Sequence, residues 1–305
     1  MNALTALVAA LALLAFGAWF VAVIDALVFA RFARQQPTNV FTGPWRRAAT
    51  LITQQSIATE RPDALNKALA PALYFGLAAF GIAVVPMVPG VEAPGGGVGI
   101  VWWGTVEALV IVVVFLHGWS ANSLMPLVGA YRYVAIGLPV MLLSMFVLIA
   151  AALPAQSLSL TAIVESQRDL WNVARQPLGL PLFLVLGLSL TLRGPFDYAD
   201  SADLAGGTAA EASGVSRLLW EAARLAMLVA FAALASAVFL GGYLGPWLPG
   251  PVWLALKTAL LLAVLVLASH AFARMPPSRM LTLLWVVLLP LAFLDLLLAG
   301  LVALA

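Results

Sequence analysis

The chain has no cysteine and only two histidines, His117 and His270. Without cysteine it can build no disulfide, no thiolate zinc site and no cysteine-held iron–sulfur cluster. Two histidines are too few for a histidine-rich metal or haem centre, so any electrons that move are carried by another chain. Charge is scarce as well: 9% of the 305 residues are Asp, Glu, Lys or Arg, against roughly 25% in a soluble domain. With 64% hydrophobic residues and a mean hydropathy of +1.06, the chain reads as an integral membrane protein. No internal repeat, low-complexity tail or soluble domain interrupts it, so residues 1–305 read as a single polytopic membrane domain.

A crossing helix needs about 20 apolar residues. Eight runs are read as spans, near 4–30, 66–88, 99–119, 127–153, 177–193, 216–244, 251–272 and 280–303. They are continuous rather than alternating, which gives an all-α membrane fold and excludes a barrel. The run Met1–Ile24 has no charged leader and exceeds the roughly 7–15 apolar residues of a signal-peptide core, so it reads as a retained helix. Arg and Lys collect in the first connection (Arg31, Arg34, Arg46, Arg47, Arg61, Lys67), around the fifth (Arg193, Arg217) and in the seventh (Arg274, Arg279). The second and sixth connections have none; the fourth is the exception, with Arg168 and Arg175 beside Glu165 and Asp169. Odd-numbered connections are therefore expected on the cytoplasmic face of the inner membrane, with both termini outside.

What polarity there is concentrates in one place. Between Arg193 and Glu221 lie Asp197, Asp200, Asp203, Glu211 and Glu221, five of the thirteen carboxylates. A second polar stretch, 44–58, follows a Thr-Gly-Pro breaker. It suggests a short helix at the interface, with Trp45, Arg46 and Arg47 at headgroup level and Leu51 and Ile52 inward.

An ionisable group inside a span is costly and points to function. Asp25, Glu107, Arg132, Glu221, Arg224, Lys257 and Asp295 qualify, and Glu221 and Arg224 are spaced i, i+3, close enough to pair. For Asp25, Arg132 and Lys257, near helix ends, buried salt bridges or snorkelling stand beside a functional reading. For the deeper Glu107 and Glu221 a proton-path role is favoured. The two histidines are read as packing or hydrogen-bonding groups rather than ligands.

Four motifs then occur in order. Gly118-Trp119-Ser120-Ala121-Asn122-Ser123, followed by Gly129-Ala130-Tyr131-Arg132, resembles a G-W-S-x-N-S … G-A-x-R signature. Pro195-Phe196-Asp197 resembles a P-F-D that opens an acidic connection ending E-Y-S-G, here Glu211-Ala212-Ser213-Gly214. Phe239-Leu240-Gly241-Gly242-Tyr243-Leu244-Gly245-Pro246 resembles F-L-G-G-W-x-G-P, and Ala33-Arg34 with Pro37-Thr38-Asn39 is loosely similar to R-x-Q-x-R-x-G-P-N. Together they resemble the motifs of one membrane-subunit family of respiratory complex I, the H subunit of NADH-quinone oxidoreductase and its mitochondrial counterpart, subunit 1. The family includes relatives in group 4 energy-converting hydrogenases and formate hydrogenlyase. The chain departs from the pattern in several places. Gln54-Gln55-Ser56 stands where complex I members carry a lysine–glutamate pair, Tyr133 where hydrogenase relatives carry a glutamate, and Leu138 where a glutamate precedes the proline of the fourth helix. The first connection is shorter and the acidic run is thinned to Asp200 and Asp203.

The resemblance implies an eight-helix subunit of a redox-driven, ion-translocating complex, itself non-catalytic. On the departures, a hydrogenase-like or atypical complex comes first and a quinone-binding H subunit of NADH-quinone oxidoreductase second; a stand-alone secondary transporter and a purely structural anchor are the readings of other classes. Partners would be hydrogenase-large-subunit-like and iron–sulfur peripheral subunits, antiporter-like membrane subunits and the lipid bilayer; nucleic acid is not expected. This chain alone would hold no cofactor, with quinone at the interface and Fe–S, NiFe or flavin groups in the partners. Asp197, Asp200, Asp203 and Glu211 would form the coupling or docking group, continued by Glu221, Glu107 and Arg132. Asp25, Arg34, Trp45, Arg46 and Gln55 would line a quinone cavity or interface.

Overall fold

A computed structural model describes residues 3–34, 36, 39–89 and 96–304. Pro37 and Thr38 of the first connection, and most of the second, lie outside the described residues. The elements in order are α1 (Ala3–Phe32), α2 (Gly43–Thr53), α3 (Ala64–Ala83), α4 (Gly99–Ser120), α5 (Leu124–Ala152) and α6 (Leu160–Glu165). They are followed by α7 (Asn172–Arg175), α8 (Gly179–Leu190), α9 (Gly214–Phe239), α10 (Gly250–Ala271), α11 (Pro277–Leu283) and α12 (Leu289–Leu304). A π-helical turn over Leu284–Leu288 joins the last two into one rod, and no strand occurs among the described residues. The chain is a multi-pass membrane protein: among the described residues, seven helices are long and apolar enough to cross a bilayer. Large apolar side chains from Val8 to Val302 stand on the outer surface, where lipid tails would cover them.

The core is organised on α9. From Ala226 to Phe239 nearly every residue is buried, whichever way it points, the mark of a helix surrounded by others. Small residues make this possible, because backbones can then approach closely. Alanines recur along α9 at 226, 230, 232, 233, 235 and 237. On α8, a Cβ at Gly187 would run into the Phe231 ring. Phe183 stacks on that ring at 4.7 Å.

The fifth crossing is irregular. The expected span 177–193 is helical for only 12 residues, Gly179–Leu190, about 18 Å at 1.5 Å per residue, short of the roughly 30 Å hydrocarbon core. The helix stops because its last carbonyls are taken by side chains from elsewhere. Tyr74 and Tyr133 donate to the Leu190 carbonyl at 2.7 and 3.1 Å, and Arg224 donates to those of Thr191 and Leu192. Leu192 turns left-handed, with φ +55°. Non-helical backbone is tolerated at such a depth when protein satisfies it.

A further expectation is corrected. Span six ends at Phe239, and Gly241 and Gly242 turn left-handed beyond it, so residues 240–244 form a turn. The fourth connection folds into α6 and α7. Gln167 anchors it, donating to the Ala237 carbonyl and accepting from the Gly241 amide, each at 2.9 Å.

The connections sort by end. The Asp63 amide donates to the Ser120 carbonyl (2.9 Å), the Ile57 amide to Ser213 Oγ (2.7 Å) and the Met275 amide to the Pro195 carbonyl (3.1 Å), which gathers connections one, three, five and seven. At the other end the Ile100 amide meets the Leu158 carbonyl (3.1 Å), and Lys257 meets the carbonyls of Gly242 and Leu244. Alternation between two ends is what eight crossings require.

Candidate functional site

The acidic connection is pressed against the bundle by glycines. A Cβ at Gly129 of α5 would lie 2.5 Å from the Ala199 carbonyl oxygen, and one at Gly207 would overlap the same atom. Gly207 also adopts φ +53°, a left-handed conformation that suits glycine. This packing carries Asp200 inward, its side chain about 10% exposed, to within 2.9 Å of Arg224 on α9. The Thr208 amide and hydroxyl donate to the other Asp200 oxygen at 3.1 and 2.5 Å. Burial raises the Asp200 carboxyl above its ordinary pKa, and the Arg224 cation opposes that rise.

Other carboxylates of the connection pair with arginines from different elements. Asp197, itself buried, meets Arg274 of the seventh connection at 3.0 Å. Asp203 meets Arg132 of α5 at 2.8 Å, and the Ser201 hydroxyl and then Arg132 hold its carboxyl below the usual range. Glu211 accepts from Ser123 at 3.1 Å, which joins the fifth connection to the third. Glu221 pairs with Arg47 of α2 and Arg217 of its own helix, each at 2.9 Å. The expected Glu221–Arg224 pair is therefore not formed. The two side chains leave α9 about 60° apart, and each reaches a better partner on another element. Asp25 of α1 accepts from His270 at 2.8 Å and Arg193 at 3.3 Å.

From Asp200 a polar line leads inward. Arg224 links Asp200 to the end of α8, where Tyr74 and Tyr133 converge on the Leu190 carbonyl. Ser189 pairs with Tyr198 at 2.7 Å. A small cavity lined by Glu107, Tyr133, Gly137, Val140 and Ser189 follows. At its far side Glu107 of α4, 1% exposed, accepts from the Trp103 indole and from Ser144 at 2.8 Å; its second oxygen is buried without a partner among the described residues. Glu107 thus offers a carboxylate facing α5, whose own position before Pro139 is Leu138.

The remaining expected residues lie apart. Arg34, Trp45, Arg46 and Gln55 are exposed on and around α2, Trp45 at 68%. Leu51 faces inward as expected, but Ile52 is exposed, because a helix places adjacent residues about 100° apart. Lys257, 6% exposed, donates to two backbone carbonyls and lies 4.6 Å over the Trp171 ring, which favours the structural reading. Asp295 is buried and accepts from Gln176. No group of three or more His, Cys, Asp and Glu able to hold a metal occurs among the described residues. Sequence reasoning missed Tyr74, Tyr198 and Ser144, and read Tyr133 only as a departure from the hydrogenase pattern. The tyrosines carried a signal in their rarity, since only five occur in the chain and these three are fully buried.

A family model described as NADH dehydrogenase matches residues 1–300. The chain belongs to the H-subunit family of NADH dehydrogenases. A relative from Rhodopseudomonas palustris strain HaA2, named as the first H subunit of NADH-quinone oxidoreductase, is 35% identical over 256 residues, 84% of this chain and 80% of the relative. Its namesake from strain BisB5 is 34% identical over the same shares. The second such H subunit of strain CGA009 is likewise 34% identical over 84% of this chain and 80% of its own length. These similarities favour the quinone-type member of the family over the hydrogenase-type one. Ser123, Gly129, Arg132, Asp197, Glu211 and Gly214, all from the motifs that carry the resemblance, stand at one end of the bundle.

Proposed function

We propose that this chain is the membrane subunit at the junction of an NADH-quinone-oxidoreductase-type complex in the inner membrane. Its odd-numbered connections face the peripheral subunits, and it passes the charge change of electron transfer into the bilayer as ion movement. The observation that carries this reading is Arg224, which ties Asp200 of the connection to the carbonyls ending α8 and so to the line toward Glu107. A change of charge at the connection perturbs that pair, and the buried groups behind it can exchange protons in response. For quinone, Phe41, Trp45, Ile52 and Ile57 supply exposed apolar surface around α2; they fit a ring-bearing apolar substrate whose site is completed by partner subunits.

The test is the purified complex in proteoliposomes with Asp200→Asn. The expected result is assembly with continued quinone reduction but reduced ion movement per electron; an unchanged ratio would refute the role given to Asp200. A second reading, membership in a hydrogenase-type complex, draws on Gln54-Gln55-Ser56 and Tyr133. Mass spectrometry of co-purifying chains separates the two. A NiFe-type large subunit with its cysteines supports the second; flavin-bearing NADH-oxidising subunits support the first.

A further inference from the structure

His117 sits near the end of α4, 4% exposed, and both of its ring nitrogens lack a partner among the described residues. Its face stacks on Trp220 of α9 at 3.7 Å with the planes 13° apart. A buried polar group left unpaired in this way is a mark of bound water or of chemistry. The ring borders a cavity that is also lined by Thr59, Lys67, Thr208, Glu211 and Ser216, and the Ser216 hydroxyl is itself buried and unpartnered. The space open to a water's centre is about 10 Å³, room for about one water and far too little for a quinone ring.

We propose that His117 is a protonatable relay served by one water bound in this cavity, which connects it to Glu211. This rests on the reading of the subunit as a mover of protons. In the step, the Glu211 carboxyl gives a proton to the water as the water gives one to a free ring nitrogen. The products are a carboxylate, the same water and an imidazolium. The indole face of Trp220 accommodates that cation, as tryptophan does for ring-stacked cations. The charged groups facing the ring are Lys67 on α3, Arg224 on α9 and Glu211 on the connection. The ring stands beside the end of the bundle where the carboxylates collect.

The test uses the full chain, labelled with nitrogen-15 histidine, in lipid nanodiscs. With only two histidines, His117→Phe and, independently, His270→Gln assign the signals even if one variant folds poorly. The expected result is a water cross-peak to the His117 ring, weakened by at least about half in Ser216→Ala, which removes one of the water's few anchors, and exchange of the ring N–H with deuterated water that slows by a similar factor in Glu211→Gln. A ring with no water contact, or an exchange rate indifferent to Glu211, would overturn the proposal and leave His117 as packing. A complex that reduces quinone without moving ions would instead refute the broader reading, and these signals would not register it.

Discussion

Replacing Arg224 with methionine puts the central pair to the test. The change keeps most of the aliphatic length but removes the guanidinium that meets Asp200 at 2.9 Å and the Thr191 carbonyl at 3.0 Å. Leaving a buried charge without its partner costs about 3–5 kcal/mol. For a chain of this size about 2–4 °C of midpoint accompanies each kcal/mol, so Arg224→Met should melt on the order of 10 °C lower in a fixed detergent. Asp200→Asn should cost less, because its amide oxygen still accepts from Thr208 and Arg224 keeps its carbonyls. The double variant should fall short of the sum by about 2 kcal/mol or more. The pH dependence follows from the raised Asp200 carboxyl. A group raised on folding binds its proton more tightly in the folded state, so stability is greatest in acid. It declines as pH rises above the unfolded value near about 3.9. The decline should be steeper in Arg224→Met, where no cation opposes burial, and absent in Asp200→Asn/Arg224→Met. A coupling under about 0.5 kcal/mol, or stability that rises with pH over this range, would refute the assignment of Asp200 and Arg224 as a working buried pair.

Two more outcomes follow from the geometry. Glu107→Gln keeps acceptors for Trp103 and Ser144 but removes the exchangeable proton, so the complex should assemble while ion movement per electron falls about tenfold or more; unaltered ion movement would return Glu107 to a purely structural role. Gly129→Ala places a methyl 2.5 Å from the Ala199 carbonyl oxygen and should cost about 1–3 kcal/mol through displacement of the acidic connection, read as a lower melting midpoint; an unshifted midpoint would show that the close approach is unimportant.

How much of this could be read from the sequence depends on whether the cause lay nearby in the chain. The long spans were legible because apolar runs of about 20 residues have few alternatives in a membrane. The acidic island was legible because it interrupts them. The end of α8 was not, since the groups that stop it, Tyr74, Tyr133 and Arg224, lie 116, 57 and 33 residues away from the carbonyls they take. Pairing partners were illegible for the same reason. The i, i+3 spacing of Glu221 and Arg224 made them look like a pair, whereas each answers a residue from another element, 174 positions away in the case of Arg47. Where a helix turned out shorter than its apolar run, or a connection more ordered than its length suggested, a distant side chain had satisfied the backbone.

The two ends of the bundle are held by different kinds of interaction, and this bears on which end can respond to a charge. At the end of the odd-numbered connections, Asp197, Asp200 and Asp203 each pair with an arginine of another element, Arg274, Arg224 and Arg132. One segment is the common member of all three pairs, so moving or neutralising it changes the electrostatics of α5, α9 and the seventh connection together. At the other end, Glu165 is held by Arg168 of its own segment and by Tyr243, but the other ties run largely to backbone: Gln167 to Ala237, Asn172 to Ala151 and Val238, and Lys257 to Gly242 and Leu244. Backbone carbonyls cannot be protonated or exchanged for another partner without unwinding the turn they belong to. Ion pairs can be re-partnered, and a carboxylate can take up a proton when its cation moves away. A signal that arrives as charge is therefore expected to displace the acidic connection while the Gln167–Lys257 end stays fixed. The rearrangement is then expected to pass along α9, the helix that carries Arg224 and is packed on every side from Ala226 to Phe239.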